Sequence, residues 1–138
     1  MPDRVLRARY CKVLVPHRAG QGAALLGGVA NAGINLLAHS GFPVGGGNAQ
    51  LDFVAENIGA VRRAVAKHGL RASAVRRCFV IQGDDRVGAV QRHLAKLAKA
   101  RVNVIAADAV AAGKRRYGML LWVRPQDYGR AARALGAR

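Results

Sequence analysis

Acid is what this chain has least of. Its 138 residues include 7 Asp and Glu against 23 Lys and Arg, for a formal charge of +16. Such a balance favours contact with polyanions. The basic residues are nevertheless scattered, the densest groups being Arg62-Arg63, Arg76-Arg77 and Lys114-Arg115-Arg116. Arginine amid heavy alanine and glycine usage also arises from coding bias alone. Cysteine is scarce: Cys11 and Cys78 are too few for a disulfide framework, and in strand-like runs they read as small buried thiols. No apolar run approaches the ~20 residues that cross a bilayer. Met1-Pro2-Asp3-Arg4 meets charge at once and builds no signal-peptide core. These absences point to a protein without a membrane span, expected in the cytoplasm. With 51% hydrophobic residues and a mean hydropathy of +0.06, the chain is too apolar for a disordered tail. Its length suits one ordinary domain or two small ones.

Catalytic signals are also missing. Gly20-Gln21-Gly22-Ala23-Ala24-Leu25 nearly spells a dinucleotide fingerprint, but the third glycine is absent and Leu25 belongs to an apolar stripe. Gly45-Gly46-Gly47 lacks the Lys-Ser/Thr of a P-loop, and no Cys/His spacing suits zinc. Asp84 and Asp85 are adjacent loop carboxylates that rarely face one substrate atom. Glu56 and Asp127 sit near helix starts, where capping and dipole terms explain them. His39, His68 and His93 read as surface or structural residues. No nucleophile–base pair emerges, so no enzyme, cofactor or metal is expected.

What is present is a repeat. A shift of 68 positions aligns the halves without a gap, from the first strand into the second. It places Arg18 on Arg86, Gly20 on Gly88, Leu26 on Leu94, Val29 on Leu97 and Ile34-Asn35 on Val102-Asn103. In the first copy, Val5–Val15 reads as a strand and Gly20–Ala32 as a helix carrying Leu25, Leu26 and Val29 at helical spacing. Ile34–Phe42 and Ala49–Val54 read as strands around a glycine-rich turn. Ile58, Val61 and Val65 mark a second helix, and Leu70–Val75 a fourth strand. The second copy repeats the order. A strand lies near Cys78–Ile81, a helix presents Val87, Val90, Leu94 and Leu97 on one face, and Val102–Val110 and Tyr117–Val123 are strands. A last helix follows Pro125 with Tyr128, Ala132 and Leu135. Asp85 is placed to cap the first of these helices. No fourth strand follows, so the edge at Cys78–Ile81 is expected to be covered, by Leu70–Val75 or by a second chain.

This arrangement resembles the ACT domains, small regulatory modules with a βαββαβ ferredoxin-like fold. The resemblance rests on Asp85-Arg86-Val87-Gly88 followed by Val102-Asn103-Val104, and on His17-Arg18-Ala19-Gly20 followed by Gly33-Ile34-Asn35-Leu36. Ala19 and Val87 stand where the family has proline, His17 replaces an Asp or Asn, and Arg101 replaces a helix-ending glycine. The resemblance implies an α+β fold of two tandem ACT-type units. They would span residues 1–75 and 76–138, with antiparallel sheets paired side by side and the second unit lacking its last strand. It implies a regulatory module that binds a small molecule, an amino acid above all, at the interface between such units. A homodimer through sheet edges and a regulated protein partner are expected with it.

The residues support that chemistry by themselves. Gly20 and Gly88 open helices directly after strands, where free backbone N–H groups favour a carboxylate. Asn35 and Asn103 both donate and accept hydrogen bonds. Asp84 and Asp85 suit an ammonium, and His17 either end of an amino acid. The candidate ligand-binding set is therefore His17, Arg18, Ala19, Gly20, Gln21, Gly22 and Asn35, with Asp84, Asp85, Arg86, Val87, Gly88 and Asn103. Each has a plainer reading. For the asparagines it is satisfaction of local backbone, for Asp85 a plain cap, and for Gly20 and Gly22 turn geometry. The alternative function is a basic nucleic-acid binder on the same scaffold, which would display aromatics on central strands.

Overall fold

A computed structural model describes residues 2–138. Two compact units are present. The first unit is Arg9–Arg76. The second joins the N-terminal stretch through Ala8 to Arg77–Arg138. Six strands and four α-helices alternate as β1 (Arg4–Pro16), α1 (Gln21–Asn31), β2 (Ala38–Gly45), β3 (Asn48–Val54), α2 (Ile58–Lys67), β4 (Arg76–Asp84), α3 (Ala89–Lys99), β5 (Val104–Ala111), β6 (Arg116–Val123) and α4 (Tyr128–Leu135). A short 3₁₀ turn at Pro125–Asp127 leads into α4. The α+β, ferredoxin-like architecture is as the repeat predicts.

In the first unit the strand order is β2-β3-β1. Antiparallel register sets Lys12 opposite Asp52 and Val13 opposite Leu51, with Ser40 on the far side of Asp52. Alternate residues Cys11, Val13 and Val15 bury against Leu25 and Val29 of α1 and Val61 and Val65 of α2. The cap of α2 is explicit: the Asn57 Oδ1 accepts from the Ala60 amide at 3.0 Å. The fourth strand expected at Leu70–Val75 shrinks to one bridge. Ala72 pairs with Val13, and the Ser73 amide donates to the Lys12 carbonyl at 2.9 Å. The Ser73 hydroxyl takes the Lys12 amide in return at 3.0 Å, so a side chain replaces ladder bonds there. The second strand also begins later than its sequence suggests. Ile34 and Leu36 pack on the core with Asn35 exposed between them, but regular pairing starts only at Ala38.

The second unit has the order β1-β4-β6-β5. Its fourth-strand position beside β4 is filled by the N-terminal end of β1, whose Val5 joins this unit's core. The expectation that Leu70–Val75 or a second chain covers Cys78–Ile81 is therefore corrected. A thirteen-residue strand is long enough to serve two units, and β1 gives Arg4–Ala8 to one and the rest to the other. Beyond it, the Arg138 amide donates to the Val5 carbonyl at 3.0 Å and the Arg138 carbonyl accepts from Arg7 at 2.9 Å. Phe79, Ile81, Leu97, Leu121 and Tyr128 fill this core. The Phe79 and Tyr128 rings stack 4.4 Å apart. The Tyr128 hydroxyl donates to the Cys78 carbonyl at 2.9 Å, and the Arg77 guanidinium lies 4.2 Å from the ring centre. At the end of α3, Arg101 occupies the left-handed region at φ +58° where glycine is usual. The Arg130 guanidinium donates to its carbonyl at 3.2 Å, which helps hold that conformation.

Candidate functional site

Both helices that follow a first strand start from the same corner. Gly20 has φ 88° and ψ −14°, and Gly88 has φ 81° and ψ 7°. An L side chain is strained at either position whatever the space around it, and a Cβ there would meet nothing within 4 Å. The glycines are demanded by backbone conformation, and the space in front of them is open. Asp85 does not cap α3, because Gly88 holds the N-cap position without a side-chain bond. Asp85 is anchored by its backbone instead, its amide donating to the Arg115 carbonyl at 2.8 Å. The neighbouring Asp84 pairs with Arg116 at 2.7 Å. The hydrogen bond from Arg116 holds the exposed Asp84 carboxyl below its ordinary range.

In the second unit this corner opens into a groove of about 530 Å³. Asp85, Arg86 and Gly88 form its polar end. Val90 and Leu94 of α3, Ala109 and Val110 of β5, and the Tyr117 ring form an apolar floor. Val90 and Gln91 are first-turn residues of α3, whose amides have no intrahelical acceptor. Val87 stands beside the groove fully exposed. Asn103 does not join this cluster. It precedes β5 at the other end of α3, in a separate depression of about 630 Å³ with Arg101, Val104 and Ala107. Gly88 and Asn103 thus line two different depressions, which share Leu94. The cause is helix length: α3 runs eleven residues between them, about 16 Å at 1.5 Å per residue.

The first unit repeats the layout. His17, Arg18 and Ala19 lead to Gly20, and Gln21 and Gly22 open α1. Gly22 is in ordinary contact with Leu51, 3.7 Å from where its Cβ would sit. Asn35 is exposed beyond the far end of α1, between Ile34 and Leu36, which pack on the core.

Sequence reasoning missed a buried polar cluster in the second unit. One oxygen of Asp3, Oδ2, meets three donors: the Tyr117 hydroxyl at 2.5 Å, His93 Nε2 at 2.7 Å and the Arg92 guanidinium at 3.1 Å. The Asp3 side chain is 5% exposed and that of His93 2%. A carboxylate oxygen at this distance means that Nε2 carries the ring proton, while Nδ1 is buried without a partner among the described residues. Gly83 of β4 makes the seat, since a Cβ there would overlap the Asp3 carboxylate. Burial pushes the Asp3 carboxyl up, but the hydrogen bonds from Tyr117 and His93 and the charge of Arg92 outweigh it and hold it below its ordinary value. Burial and the same carboxylate raise the Tyr117 hydroxyl far above its usual range. With its hydroxyl committed to Asp3, Tyr117 offers the groove only its ring. The available signal was His93, which falls on the apolar side of α3 between Ala89 and Leu97.

The first unit contains the opposite case. Asp52 is 3% exposed and is held by Gln50, whose Nε2 donates to Oδ1 at 3.0 Å. Burial pushes this carboxyl up. Burial likewise pushes the Cys11 thiol up to about 11, which leaves it protonated and inert at neutral pH. No described helix is long and apolar enough to cross a membrane.

No protein-family model matches the chain, and no curated protein matches it. Solved structures do. A Bacteroides thetaiotaomicron protein superposes with a TM-score of 0.80 at 14% identity, covering 96% of this chain and 88% of that one. The ligand-free regulatory subunit of aspartate kinase from Thermus thermophilus gives 0.64 at 17% identity, over 99% and 95% of the two chains. The corresponding subunit from Thermus flavus gives 0.60 at 17%, over 98% and 94%. At such identities the likeness speaks to architecture, and the architecture is an ACT-like fold.

Proposed function

We propose that this protein is a regulatory module that binds a small amino acid in the groove at the Gly88 corner. The observation that carries this reading is the pairing of a polar end with an apolar floor. The first-turn amides of α3 and Arg86 suit an α-carboxylate, and Asp85 suits the ammonium. Leu94, Ala109 and the Tyr117 ring suit a small aliphatic side chain. The groove volume lies within the usual range for small-molecule sites. The regulatory subunits among the structural neighbours support the same reading.

A panel of the twenty L-amino acids in thermal denaturation tests it. A ligand at a hundred times its Kd stabilises by about 2.7 kcal/mol, which raises Tm by roughly 10 °C in a chain of this size. Ala109→Phe fills the groove and abolishes the shift for that ligand while Tm without ligand changes little. The reading is lost if no amino acid raises Tm, or if the rise survives Ala109→Phe.

Self-association belongs to the first unit in this reading. No Asp, Glu, Lys or Arg occurs from Ala19 to Leu51, a stretch that includes α1 and β2. Phe42 and Val44 are 43% and 45% exposed there. Copies carrying +16 each meet with least repulsion along this uncharged side. Sedimentation should show a dimer that Phe42→Asp converts to a monomer. A dimer indifferent to Phe42→Asp would place the contact elsewhere. The nucleic-acid alternative finds little platform: Phe53, Phe79, Tyr117, Trp122 and Tyr128 are buried, Tyr10 is half-buried, and the exposed Phe42 lies on the edge strand β2.

A further inference from the structure

β5 closes one side of the second unit's sheet, and among the described residues its other side is unpaired. Every residue after Val104 is exposed, with Ile105 at 60% and Val110 at 65%. The hydrogen-bond phase is set by the turn, where the Ala112 amide donates to the Arg116 carbonyl at 2.8 Å. Two-residue alternation along the β5–β6 register then turns the N–H and C=O groups of Ala107, Ala109 and Ala111 away from β6. These are open hydrogen-bonding groups on small residues, so another backbone can approach closely. The two depressions beside α3 lie along this strand and share Leu94.

Charge says what fits. Arg86 lines one depression and Arg101 the other, and the turn after β5 carries Lys114 and Arg115. Among the described residues none of these four cations has an ion pair, whereas Arg92, Arg116, Arg124 and Arg130 are all engaged with carboxylates. A second copy is a poor occupant. Antiparallel pairing of β5 with its own copy would bring Lys114 and Arg115 towards the other Arg101, and Asp108 towards the other Asp108. Like charges across a strand pair are destabilising. The β2 edge of the first unit differs: it has no formal charge and is broken by Pro43 and a register shift.

We propose that the β5 edge docks an extended acidic segment of another protein, which adds as a strand, its backbone pairing with Ala107, Ala109 and Ala111. Its apolar side chains enter the depressions and its carboxylates meet Arg86, Arg101, Lys114 and Arg115. Strand addition of this kind takes affinity from main-chain bonds and specificity from alternate side chains. This inference shares the Gly88 groove with the amino-acid reading but fails separately from it, since that reading is tested without any peptide.

The probe is a capped nine-residue peptide alternating valine and glutamate, titrated into the full chain and followed by amide NMR and calorimetry. Its valine–lysine counterpart is the control. The glutamate peptide should shift the amides of Ala107, Ala109 and Ala111, and the lysine peptide should not bind. The double charge reversal Lys114→Glu/Arg115→Glu, confined to an exposed turn, should weaken binding at least tenfold. Ala109→Pro removes one outward N–H without removing a bond to β6 and should weaken it similarly. Three results would overturn the proposal. The first is a twenty-nucleotide oligothymidylate that competes equally and ignores Ala109→Pro, which marks a general polyanion surface. The second is a dimer dispersed by Ala109→Pro, which marks a second copy as occupant. The third is binding unchanged by the charge reversal. If Ala109→Pro melts the chain, the charge reversal decides.

Discussion

Asp3→Ala lowers the free energy of unfolding by about 3 kcal/mol, because a buried cluster loses its only carboxylate. The Tyr117 hydroxyl, His93 Nε2 and the Arg92 guanidinium all converge on Asp3 Oδ2. Without it, the buried tyrosine and histidine keep polar atoms that water does not reach. Gly83→Ala should act on the same interaction from the other side, since its methyl group would evict the carboxylate. The two changes are therefore less than additive: the double variant should cost less than their sum, the remaining cost of the methyl group being its approach to the Tyr117 ring at 2.9 Å. Additive losses in urea denaturation would mean that Gly83 matters for something other than seating Asp3.

The pH dependence follows by sign. Asp3 has its folded-state pKa depressed. Its contribution is complete above the unfolded value of about 3.9 and is lost as pH falls through the folded value. Asp52 has its folded-state pKa raised by burial. Below the unfolded value both states are protonated and Asp52 costs nothing. As pH rises past it, the unfolded chain ionises first and stability is lost. Asp52→Asn keeps the Gln50 bond to Oδ1 and should raise Tm at pH 7, with the gain gone by about pH 3. Asp3→Ala should behave inversely, its deficit large at pH 7 and shrinking in acid. Parallel profiles for the two variants would refute this assignment.

The parts of the fold legible from sequence are those governed by local periodicity. Leu25 and Val29 on α1 and Leu97 on α3 fall where helical spacing puts them, because each short amphipathic helix has one face to bury. The glycine corners were legible for the same reason: Gly20 and Gly88 answer to backbone conformation, a property of one residue. The sharing of β1 was not legible. Arg4–Ala8 and Arg9–Pro16 form one uninterrupted strand, and nothing in its alternation marks which unit each half joins. Nor was the Asp3 cluster. Its members are separated by up to 114 residues, and a lone aspartate near a chain start carries no pattern. The separation of Asn103 from Gly88 was not legible either, because an alignment records order but not the length of helix between two positions.

The largest loss expected from a single apolar change is at Phe79. Its ring is fully buried and stacks on Tyr128 at 4.4 Å, with the planes 7° apart. Phe79→Ala should cost about 4 kcal/mol, from lost transfer free energy plus the cavity that β4 and α4 cannot collapse to fill. Phe79→Leu keeps most of the volume but loses the ring contact, and should cost about 1 kcal/mol. Tyr128→Phe leaves the stack and removes the hydrogen bond that its hydroxyl gives the Cys78 carbonyl, at about 1 kcal/mol. A double-mutant cycle between the two positions should return about 1 kcal/mol of coupling. Since small domains hold only about 5–15 kcal/mol in all, Phe79→Ala brings the second unit close to its limit, and the Arg4–Ala8 end of β1 should lose amide protection with it. Hydrogen exchange settles that point: protection at Val5 and Arg7 that survives Phe79→Ala would show that this stretch is held by something other than the second unit's core.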